Sequence, residues 1–467
     1  MMATINDEFV RQMQSVLPDE IEAFLAAMRE EPVVSIRLNR RKIGACEYSE
    51  KRVPWCDYGY YLPQRIAFTF DPAMHGGVYY VQDASSMFIC HVVRQLMGNR
   101  PTAYLDLCAA PGGKSTAAID ALSDDSFVVC NEIDKTRARI LWENVVKWGA
   151  PNCAVTNGSA DRLGQLRNCF DVIAADMPCS GEGMFRKDDE ARAQWSPSLV
   201  EQCAARQRKI ATDVWDALKP GGYFIYSTCT FNRPENEETA DFIAQHLGAD
   251  YVDVAIDPEW GIANGIVSSG RCYRFFPHRV NGEGLFVAVL QKRGSVKEQK
   301  ANQKEERRTR RNCPVGKWIK NPELLEFEMD NDGCNAIPAK YAKFVGRLRS
   351  VVDVLAAGVR IAEKKGKDLA PAHALSQSVI LNRDAFPEIE LGYADIIKYL
   401  RGETIALSGN DARGYALATY RGRVAGFMKN LGTRANNCYP KEWRIRSSHV
   451  PETNPDALSL LGNRHEE

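Results

Sequence analysis

Two cysteines, Cys179 in the stretch ADMPCSGE and Cys229 in the stretch YSTCTFN, each follow an apolar segment that is typical of a strand. The two segments are residues 170–176 and 223–228. If these strands lie side by side and parallel, their carboxyl ends meet at one edge of the sheet, and both thiols lie over the same pocket. A thiolate is a strong nucleophile, whereas a lone cysteine in a reducing compartment is usually inert. Two thiols beside one pocket are therefore harder to explain by packing alone.

A second candidate site is the loop DLCAAPGGKST at residues 106–116, which separates a predicted strand from a predicted helix. Its small residues let a ligand approach the backbone, and the first turn of the helix offers unpaired N–H groups. The loop matches neither G-x-G-x-x-G nor the Walker phosphate-binding pattern. It predicts a nucleotide-like ligand at the carboxyl ends of the strands, with an ordinary strand-to-helix turn as the alternative.

Two acidic residues end strands at the same predicted edge. Glu132 ends the second strand, where a carboxylate can accept two hydrogen bonds from a ribose diol. The alternative for Glu132 is an exposed turn residue. Asp176 ends the fourth strand, directly before the segment that carries Cys179.

From residue 103 the chain alternates between predicted strands and helices, which is the pattern of a parallel, doubly wound sheet in an α/β protein. The clearest amphipathic helix covers 198–218, and the segment KPGG is predicted to end it. The strands are predicted at 103–107, 127–134, 153–159, 170–176, 223–228 and 284–292.

The 467 residues are too many for one ordinary core, so several domains are expected. We predict an N-terminal module, an α/β catalytic domain, a basic linker, an intermediate α+β region and a β-rich C-terminal domain. Their respective bounds are 1–100, 101–293, 294–312, 313–395 and 396–467. Lys plus Arg and Asp plus Glu number 60 each, so any surface that binds nucleic acid must be local.

Two segments carry local positive charge. The linker is rich in Lys and Arg, which suits either a solvated tether or an arm that contacts phosphates. The stretch TRANNCYPKEWRIR interleaves cations with Tyr439 and Trp443. These rings either stack on RNA bases or belong to a core beneath a charged face.

The 14 cysteines do not form C-x-x-C pairs and the seven histidines are scattered, so no structural metal site is predicted. The N-terminus lacks the pattern of a signal peptide, and no apolar run reaches the length of a membrane span. We therefore predict a cytoplasmic protein with reduced thiols and no membrane partner.

Four motifs together, DLCAAPGGK, NEID, DMPCSGEGMFRK and YSTCTFNRPENEE, resemble those of the NOL1/NOP2/Sun family of RNA (cytosine-5) methyltransferases. The resemblance covers residues 100–292 and extends upstream through VVSIRLN and downstream to NNCYPKEWRI. Within the family the chain looks most like the bacterial branch that modifies small-subunit rRNA. The resemblance implies a Rossmann-like S-adenosylmethionine-dependent methyltransferase core between a small N-terminal α+β RNA-binding module and a C-terminal β-rich PUA-like RNA-binding domain.

The resemblance also implies roles for the two thiols. Carbon 5 of cytosine is a poor nucleophile, and addition of a thiolate at carbon 6 activates it. The cysteine of the TCT motif, Cys229, is the implied nucleophile. Cys179, which follows proline, is implied to assist release of the product.

Other residues acquire roles by the same resemblance. Asp176 is implied to contact both the cofactor and the amino edge of cytosine, and Lys114 to lie beside the target base. Glu132 is implied to bind the cofactor's ribose. The implied cofactor loop consists of Cys108, Ala109, Ala110, Pro111, Gly112, Gly113 and Lys114.

One position departs from the family pattern. The turn after the third strand often carries an acid for the adenine amino group, and here Ser159 stands in its place, with Asp161 nearby. The cations that could lower the pKa of a reactive thiol are Lys114, Arg186 and Lys187.

Three other functions remain open at this stage. The substrate could be tRNA instead of small-subunit rRNA, since the motifs do not distinguish them. A non-catalytic RNA-binding assembly factor would not need both Cys179 and Cys229. A small-molecule methyltransferase would leave the second thiol and the basic C-terminal segments without a purpose.

Overall fold

The computed structural model describes residues 5–44, 47–48, 50–266, 268–294, 315–409, 412–447, 449–451, 453–462 and 464–465. Apart from residue 294, the predicted basic linker lies outside the described residues. Across the described residues, none of the helices combines the length and the apolarity that a membrane span requires.

The N-terminal part is a small α+β module. Its elements are α1 (Asp7–Val16), α2 (Ile21–Ala27), β1 (Ser35–Leu38), α3 (Arg40–Ile43), β2 (Glu47–Tyr48), β3 (Gly59–Tyr61), α4 (Pro72–His75), β4 (Tyr79–Val81) and α5 (Phe88–Met97). Strand β1 lies between β3 and β4 and is antiparallel to both. The Asn6 side chain accepts a hydrogen bond from the backbone N–H of Glu8 and so caps α1.

A parallel sheet with flanking helices forms the centre of the chain. Its elements are β5 (Ala103–Asp106), α6 (Gly113–Ala121), β6 (Phe127–Asn131), α7 (Lys135–Trp148), β7 (Cys153–Asn157), α8 (Ala160–Gly164), β8 (Phe170–Asp176), α9 (Asp189–Gln194), α10 (Pro197–Val214) and β9 (Leu218–Thr228). The five strands lie in the order β7–β6–β5–β8–β9 and are parallel. The chain order reverses between β5 and β8, and ligands bind at the carboxyl ends beside such a point.

Both faces of the sheet are buried, which explains the continuous apolar runs of its strands. Successive residues of a strand point to opposite faces. In β5, Tyr104 packs with α5, α6 and α7, while Leu105 packs with α10 on the other side. Val172 and Ile173 of β8 divide in the same way.

An antiparallel extension completes this sheet beyond β9. Its elements are α11 (Glu237–His246), β10 (Ala249–Tyr251), β11 (Ala263–Asn264), β12 (Cys272–Phe275) and β13 (Leu285–Lys292). Strand β13 is antiparallel to β9, and β10 and β12 both pair with β13. The predicted Rossmann-like α/β core is confirmed, whereas β10 to β12 were not predicted.

The predicted helix over 198–218 is wrong at its carboxyl end. Helix α10 ends at Val214, one 3₁₀ turn follows, and β9 already begins at Leu218. Leu218 pairs with Phe170, and the next ladder pair joins Tyr223 to Val172, so the segment KPGG is an irregularity within the strand and not a helix stop. Gly221 supports it with a φ of 75°.

The intermediate region combines its own sheet with one strand that joins the catalytic sheet. Its elements are β14 (Leu325–Met329), β15 (Gly333–Pro338), α12 (Ala342–Arg349), β16 (Asp353–Ala357), β17 (Val359–Lys365), β18 (Asp368–Pro371) and α13 (His373–Gln377). Strand β16 pairs antiparallel with β7, while β14, β15, β17 and β18 form a separate sheet. Phe344 packs against Phe127 and Phe170 beneath the central sheet. This region is therefore continuous with the catalytic core.

The C-terminal part is rich in strands, as predicted. Its elements are β19 (Glu388–Glu390), α14 (Tyr393–Leu400), β20 (Ile405–Ala406), β21 (Gly414–Tyr420), β22 (Arg423–Asn430), β23 (Arg434–Asn437) and β24 (Arg464–His465). Strands β19 to β23 form one five-stranded sheet, and β24 pairs with β2 of the N-terminal module. Tyr439 and Trp443 are 2% and 8% exposed and belong to the core of this part, so the stacking interpretation of these rings is wrong.

A buried ion pair fastens the N-terminal module to the catalytic core. Arg37 of β1 contacts Asp120 of α6 at 2.5 Å, with both side chains at most 3% exposed. Arg37 also donates to the hydroxyl of Thr116 at 2.6 Å, and its guanidinium lies 4.5 Å from the ring centre of Trp148. The indole N–H of Trp148 donates to Asp120 at 3.0 Å.

We expect Asp120→Ala to destabilise the protein by about 3–5 kcal/mol, because it leaves the Arg37 guanidinium buried without a counter-charge. Denaturant unfolding monitored by tryptophan fluorescence measures the change. The control is Asp213→Ala, which breaks an exposed ion pair with Lys209 and should leave the transition unchanged. An Asp120→Ala protein as stable as the control would contradict the fastening role.

Candidate active site

The structure brings the two predicted thiols into contact. Strands β8 and β9 are parallel neighbours, with Asp176 paired in register with Ser227. The chain leaves the sheet at the same edge after each strand, and the Sγ atoms of Cys179 and Cys229 lie 3.2 Å apart. Both cysteines are partly exposed.

The two thiols differ in their surroundings. The contact with Cys229 and burial together raise the pKa of the Cys179 thiol well above its ordinary value. Cys179 therefore keeps its proton and can donate it in a hydrogen bond to Cys229. A backbone hydrogen bond of 2.6 Å from the N–H of Gly183 to the carbonyl of Cys229 also joins the two loops.

Lys114 and Asp176 form an ion pair beside the thiols. The ammonium Nζ of Lys114 lies 2.8 Å from Oδ2 of Asp176, and the hydroxyl of Ser227 donates to Oδ1 at 2.9 Å. Burial opposes the charge of Lys114, but the Asp176 carboxylate outweighs burial and raises the pKa of the lysine. Cys229 also contributes to the rise in the pKa of Lys114, so this lysine and the Cys229 thiol interact electrostatically.

The other two predicted cations are directed elsewhere. Arg186 and Lys187 lie 3.7 Å and 3.1 Å from the carboxylate oxygens of Glu283. Arg186 is buried, and it also donates to the carbonyl of Glu31 at 3.0 Å. Both side chains therefore hold the loop after Cys179 in place.

Side chains from outside the predicted cofactor loop donate hydrogen bonds to its backbone carbonyls. Asn131 donates to the carbonyls of Leu107 and Gly158, at 3.0 Å and 2.9 Å. Arg137 and Asn144 donate to the carbonyls of Ala110 and Pro111, at 2.9 Å and 2.8 Å. These contacts use the loop carbonyls and leave the N–H groups at the start of α6 without a side-chain cap.

The shape of this loop fits a ligand such as S-adenosylmethionine. Gly112 has a φ of 116°, which favours glycine, and a Cβ there would approach Leu141 to 3.3 Å. A side chain at this position of the loop would therefore be strained and crowded against α7. Burial raises the pKa of the Cys108 thiol, so this cysteine remains a neutral lining residue.

Glu132 lies at the carboxyl end of β6, at the same edge, with its side chain buried. One carboxylate oxygen accepts from the N–H of Asp134 at 3.0 Å, and the guanidinium of Arg137 lies 3.5 Å from the other. The adjacent Ile133 is 67% exposed, which is unusual for an apolar side chain. An apolar surface thus lies next to the predicted ribose position.

Ser159 and Asp161 lie at the start of the short helix α8. A hydrogen bond with the Ser159 hydroxyl lowers the pKa of the Asp161 carboxyl. The two side chains therefore share one position after β7, and either offers an acceptor there.

Asp106 is a site residue that the sequence reasoning missed. It ends β5 and is fully buried, and the hydroxyl of Ser115 donates to its Oδ2 at 2.7 Å. Burial raises the pKa of the Asp106 carboxyl to about 7. Its position in the sequence could have identified it, since Asp106, Glu132 and Asp176 all end or follow parallel strands at one edge of the sheet.

Within the part of the chain that the structure describes, no group of three or more His, Cys, Asp or Glu residues is arranged to hold a metal ion.

Asp106 should make stability depend on pH. The folded protein keeps this proton up to about pH 7, whereas the unfolded chain releases it near pH 4, so stability falls as the pH rises through that window. Asp106→Asn removes the effect. We expect the free energy of unfolding of this variant, relative to the unsubstituted protein, to rise by about 2–3 kcal/mol between pH 5 and pH 7. A difference that stays flat across these pH values would contradict the buried, protonated carboxyl.

Three family models match consecutive parts of the chain. They are described as the N-terminal domain of 16S rRNA methyltransferase RsmF, 16S rRNA methyltransferase RsmB/F, and the methyltransferase RsmF PUA domain. Their matches cover residues 5–84, 95–291 and 386–445 respectively. The N-terminal module, the catalytic core and the PUA-like domain are thus each recognised separately.

Similar proteins extend over almost the whole chain. A Ribosomal RNA small subunit methyltransferase F from Shewanella loihica is 29% identical, with 94% of this chain and 96% of that protein aligned. The protein of the same name from Escherichia coli is 27% identical, with 93% and 96% aligned.

Solved structures share the fold over 62% of the chain. A methyltransferase homologue from Pyrococcus horikoshii has a TM-score of 0.53 at 23% identity, covering 62% of this chain and 95% of its own. NSun6 from Pyrococcus horikoshii with SFG has a TM-score of 0.53 at 19% identity, covering 62% and 99%. The motifs, the fold and the matches to three parts of the chain agree on an S-adenosylmethionine-dependent RNA methyltransferase, whose residues 95–291 match the family described as 16S rRNA methyltransferase RsmB/F.

Proposed function

We propose that this protein methylates carbon 5 of a cytosine in small-subunit rRNA through a covalent bond between Cys229 and carbon 6 of the base. The observation that carries the proposal is the pair of thiols 3.2 Å apart at the edge where Asp176 and Lys114 also lie. The names of the similar proteins favour small-subunit rRNA over tRNA as the substrate. We place this activity in the cytoplasm.

Cys229 acts as the nucleophile. Its thiolate forms a bond to carbon 6, and the electron pair of the C5–C6 double bond moves to carbon 5, which becomes nucleophilic. When bound, S-adenosylmethionine would supply an electrophilic methyl group: carbon 5 gains the methyl group as the bond from the sulfonium sulfur to the methyl carbon breaks, and S-adenosylhomocysteine leaves. Loss of the carbon 5 proton then returns an electron pair to the ring, the C6–S bond breaks, and Cys229 leaves as a thiolate.

Cys179 assists the departure of Cys229. Its high pKa keeps the S–H proton in place, and its Sγ lies within hydrogen-bond distance of the Cys229 sulfur. A donated S–H stabilises the negative charge that appears on Cys229 when the C6–S bond breaks. One thiol therefore attaches the base and the other assists its release.

Asp176 and Lys114 position the base. The carboxylate of Asp176, held by Lys114 and Ser227, can accept a hydrogen bond from the exocyclic amino group of cytosine. The ammonium of Lys114 also favours a negative charge on the nearby Cys229 sulfur. Both groups are held by the protein before the base arrives, so little reorganisation is needed.

The cofactor and RNA contacts follow from the same architecture. The loop from Cys108 to Lys114 and the carboxylate of Glu132 are proposed to hold S-adenosylmethionine, with Ser159 or Asp161 facing its adenine. The target cytosine must be unstacked to reach the thiols. The N-terminal module (1–100) and the PUA-like domain (396–467) are proposed to hold the flanking RNA through phosphate and shape contacts.

The proposal is tested by separating attachment from release. Each variant is incubated with S-adenosylmethionine and labelled RNA, and the products are resolved on a denaturing gel. Cys179→Ala should accumulate an RNA–protein adduct, because release is slowed. Cys229→Ala should form neither adduct nor methylated RNA. Cys438→Ala, which removes a partly exposed thiol of the C-terminal part, is the control and should behave like the unsubstituted protein.

The RNA arms of this experiment are small-subunit rRNA, assembled small subunits and tRNA. Methylation of the rRNA or the subunit, and not of tRNA, is expected. An adduct only in Cys229→Ala would reverse the roles of the thiols. Methylation of tRNA alone would replace the proposed substrate, and undiminished methylation by Cys229→Ala would refute covalent attack by that residue.

A further inference from the structure

A fully buried carboxylate in the loop after Cys179 holds the loop after Cys229. One oxygen of Glu182 accepts from the backbone N–H groups of Phe231 and Asn232, at 2.6 Å and 3.0 Å. The other oxygen accepts from the side-chain amide of Asn232 at 3.0 Å. Glu182 therefore attaches its own loop to the two residues that follow the TCT motif.

A second fully buried carboxylate acts in the opposite direction. Glu235, which follows Cys229 in the chain, accepts from the backbone N–H of Ser180 at 3.0 Å and from the hydroxyl of the same serine. The side-chain amides of Asn232 and Gln207 each donate to Glu235 at 2.8 Å. Burial raises the pKa of the Glu235 carboxyl, and the hydrogen bonds from Ser180 and Asn232 oppose that shift.

The arrangement is reciprocal, since each thiol loop contributes one carboxylate that binds backbone N–H groups of the other loop. The amide of Asn232 joins the two carboxylates, because one N–H group lies toward Glu182 and the other toward Glu235. We propose that Glu182 and Glu235 are positioning residues that set the distance between the sulfurs of Cys179 and Cys229. The catalytic consequence rests on the proposed covalent mechanism, whereas the distance itself does not.

A purely stabilising role would not require this arrangement. Burying a carboxylate costs free energy unless hydrogen-bond donors or a counter-charge compensate it. A single cation can supply that compensation, as Arg274 does for the nearby Glu237. Here the donors instead include backbone N–H groups of the opposite thiol loop, from Phe231 and Asn232 to Glu182 and from Ser180 to Glu235. The carboxylates therefore fix one loop relative to the other.

The N-terminal module also contributes a hydrogen-bond donor to Glu182. The side-chain amide of Gln12, on α1, donates to it at 2.8 Å, and the indole N–H of Trp195 donates at 3.0 Å. Phe24 of α2 packs edge-to-face against Phe231, with ring centres 5.1 Å apart. The module that is proposed to contact RNA thus reaches the loop of the nucleophile.

The first test measures the thiol distance without RNA or cofactor. Diamide converts two adjacent thiols to a disulfide: both sulfurs lose their protons, an S–S bond forms, and the two electrons and two protons reduce the N=N bond of diamide to a hydrazine. Peptide mass spectrometry follows the rate at which Cys179 and Cys229 become linked. In the unsubstituted protein this pair should be among the first to form.

The variants are Glu235→Gln and Glu182→Gln. Glutamine replaces one acceptor oxygen with an NH₂ donor, which then faces donors of the opposite loop. We expect each to slow formation of the Cys179–Cys229 disulfide by about tenfold or more. Ser180→Ala removes only one donor, keeps both carboxylates, and should slow it by a smaller factor, so a result remains available if a glutamine variant fails to fold.

The matched control is Asp71→Asn in the N-terminal module. Asp71 is also buried, and it accepts from the backbone N–H groups of Ala73 and Ala457 and from the hydroxyl of Tyr79. Its loss should lower stability without touching either thiol loop. The rate of disulfide formation in this variant should match that of the unsubstituted protein.

The second test asks which catalytic step each carboxylate supports. Glu235 holds the loop of Cys179, so Glu235→Gln should slow release more than attachment and accumulate adduct. Glu182 holds the loop of Cys229, so Glu182→Gln should slow attachment and lower the amount of adduct. A change limited to the folded fraction would alter both steps equally.

The inference is overturned if the glutamine variants and Ser180→Ala form the disulfide at the rate of the Asp71→Asn control. It is also overturned if release and attachment slow by the same factor in both glutamine variants. The two proposals can fail separately. If the glutamine variants form the disulfide slowly but the protein forms no RNA adduct, the positioning role is supported and the proposed function is refuted.

Discussion

The parallel pairing of β8 with β9 is the constraint on which the site depends. With Asp176 opposite Ser227, both chains leave the sheet at one level and turn over the same edge. The thiols of Cys179 and Cys229 meet because of this register. A shift by one residue would turn every side chain of β9 to the opposite face and separate the sulfurs. The contact between the two thiols is thus a consequence of strand order and register.

The electrostatics of the site depend on groups that the fold withdraws from water. The Asp176 carboxylate outweighs burial and raises the pKa of Lys114, burial raises the pKa of Asp106, and the contact with Cys229 together with burial raises the pKa of Cys179. Glu182 and Glu235, both fully buried, each accept a backbone N–H hydrogen bond from the opposite thiol loop. Charge, distance and protonation are therefore set by the protein before substrate binds.

Sequence reasoning predicted the central strands more accurately than the periphery. The strand 170–176 was predicted at its observed bounds, because apolar runs and terminal acids are local signals. The helix 198–218 was drawn too long, since only pairing with Phe170 reveals that Leu218 starts a strand. Two further features depend on contacts between residues far apart in the sequence, which no local pattern reveals. Residues 353–357 join the catalytic sheet, and Trp443 belongs to the core and does not form a surface for stacking RNA bases.

The central claim, covalent attack by Cys229 on carbon 6, is tested most directly with small-subunit rRNA transcribed with 5-fluorocytidine. Fluorine cannot leave carbon 5 as the proton does, so the C6–S bond cannot break after methyl transfer. The account predicts an adduct that survives denaturation, carries a methyl group, and maps to Cys229 by peptide mass spectrometry. A cross-link at Cys179, or methylation of ordinary rRNA with no adduct to the fluorinated RNA, would contradict it.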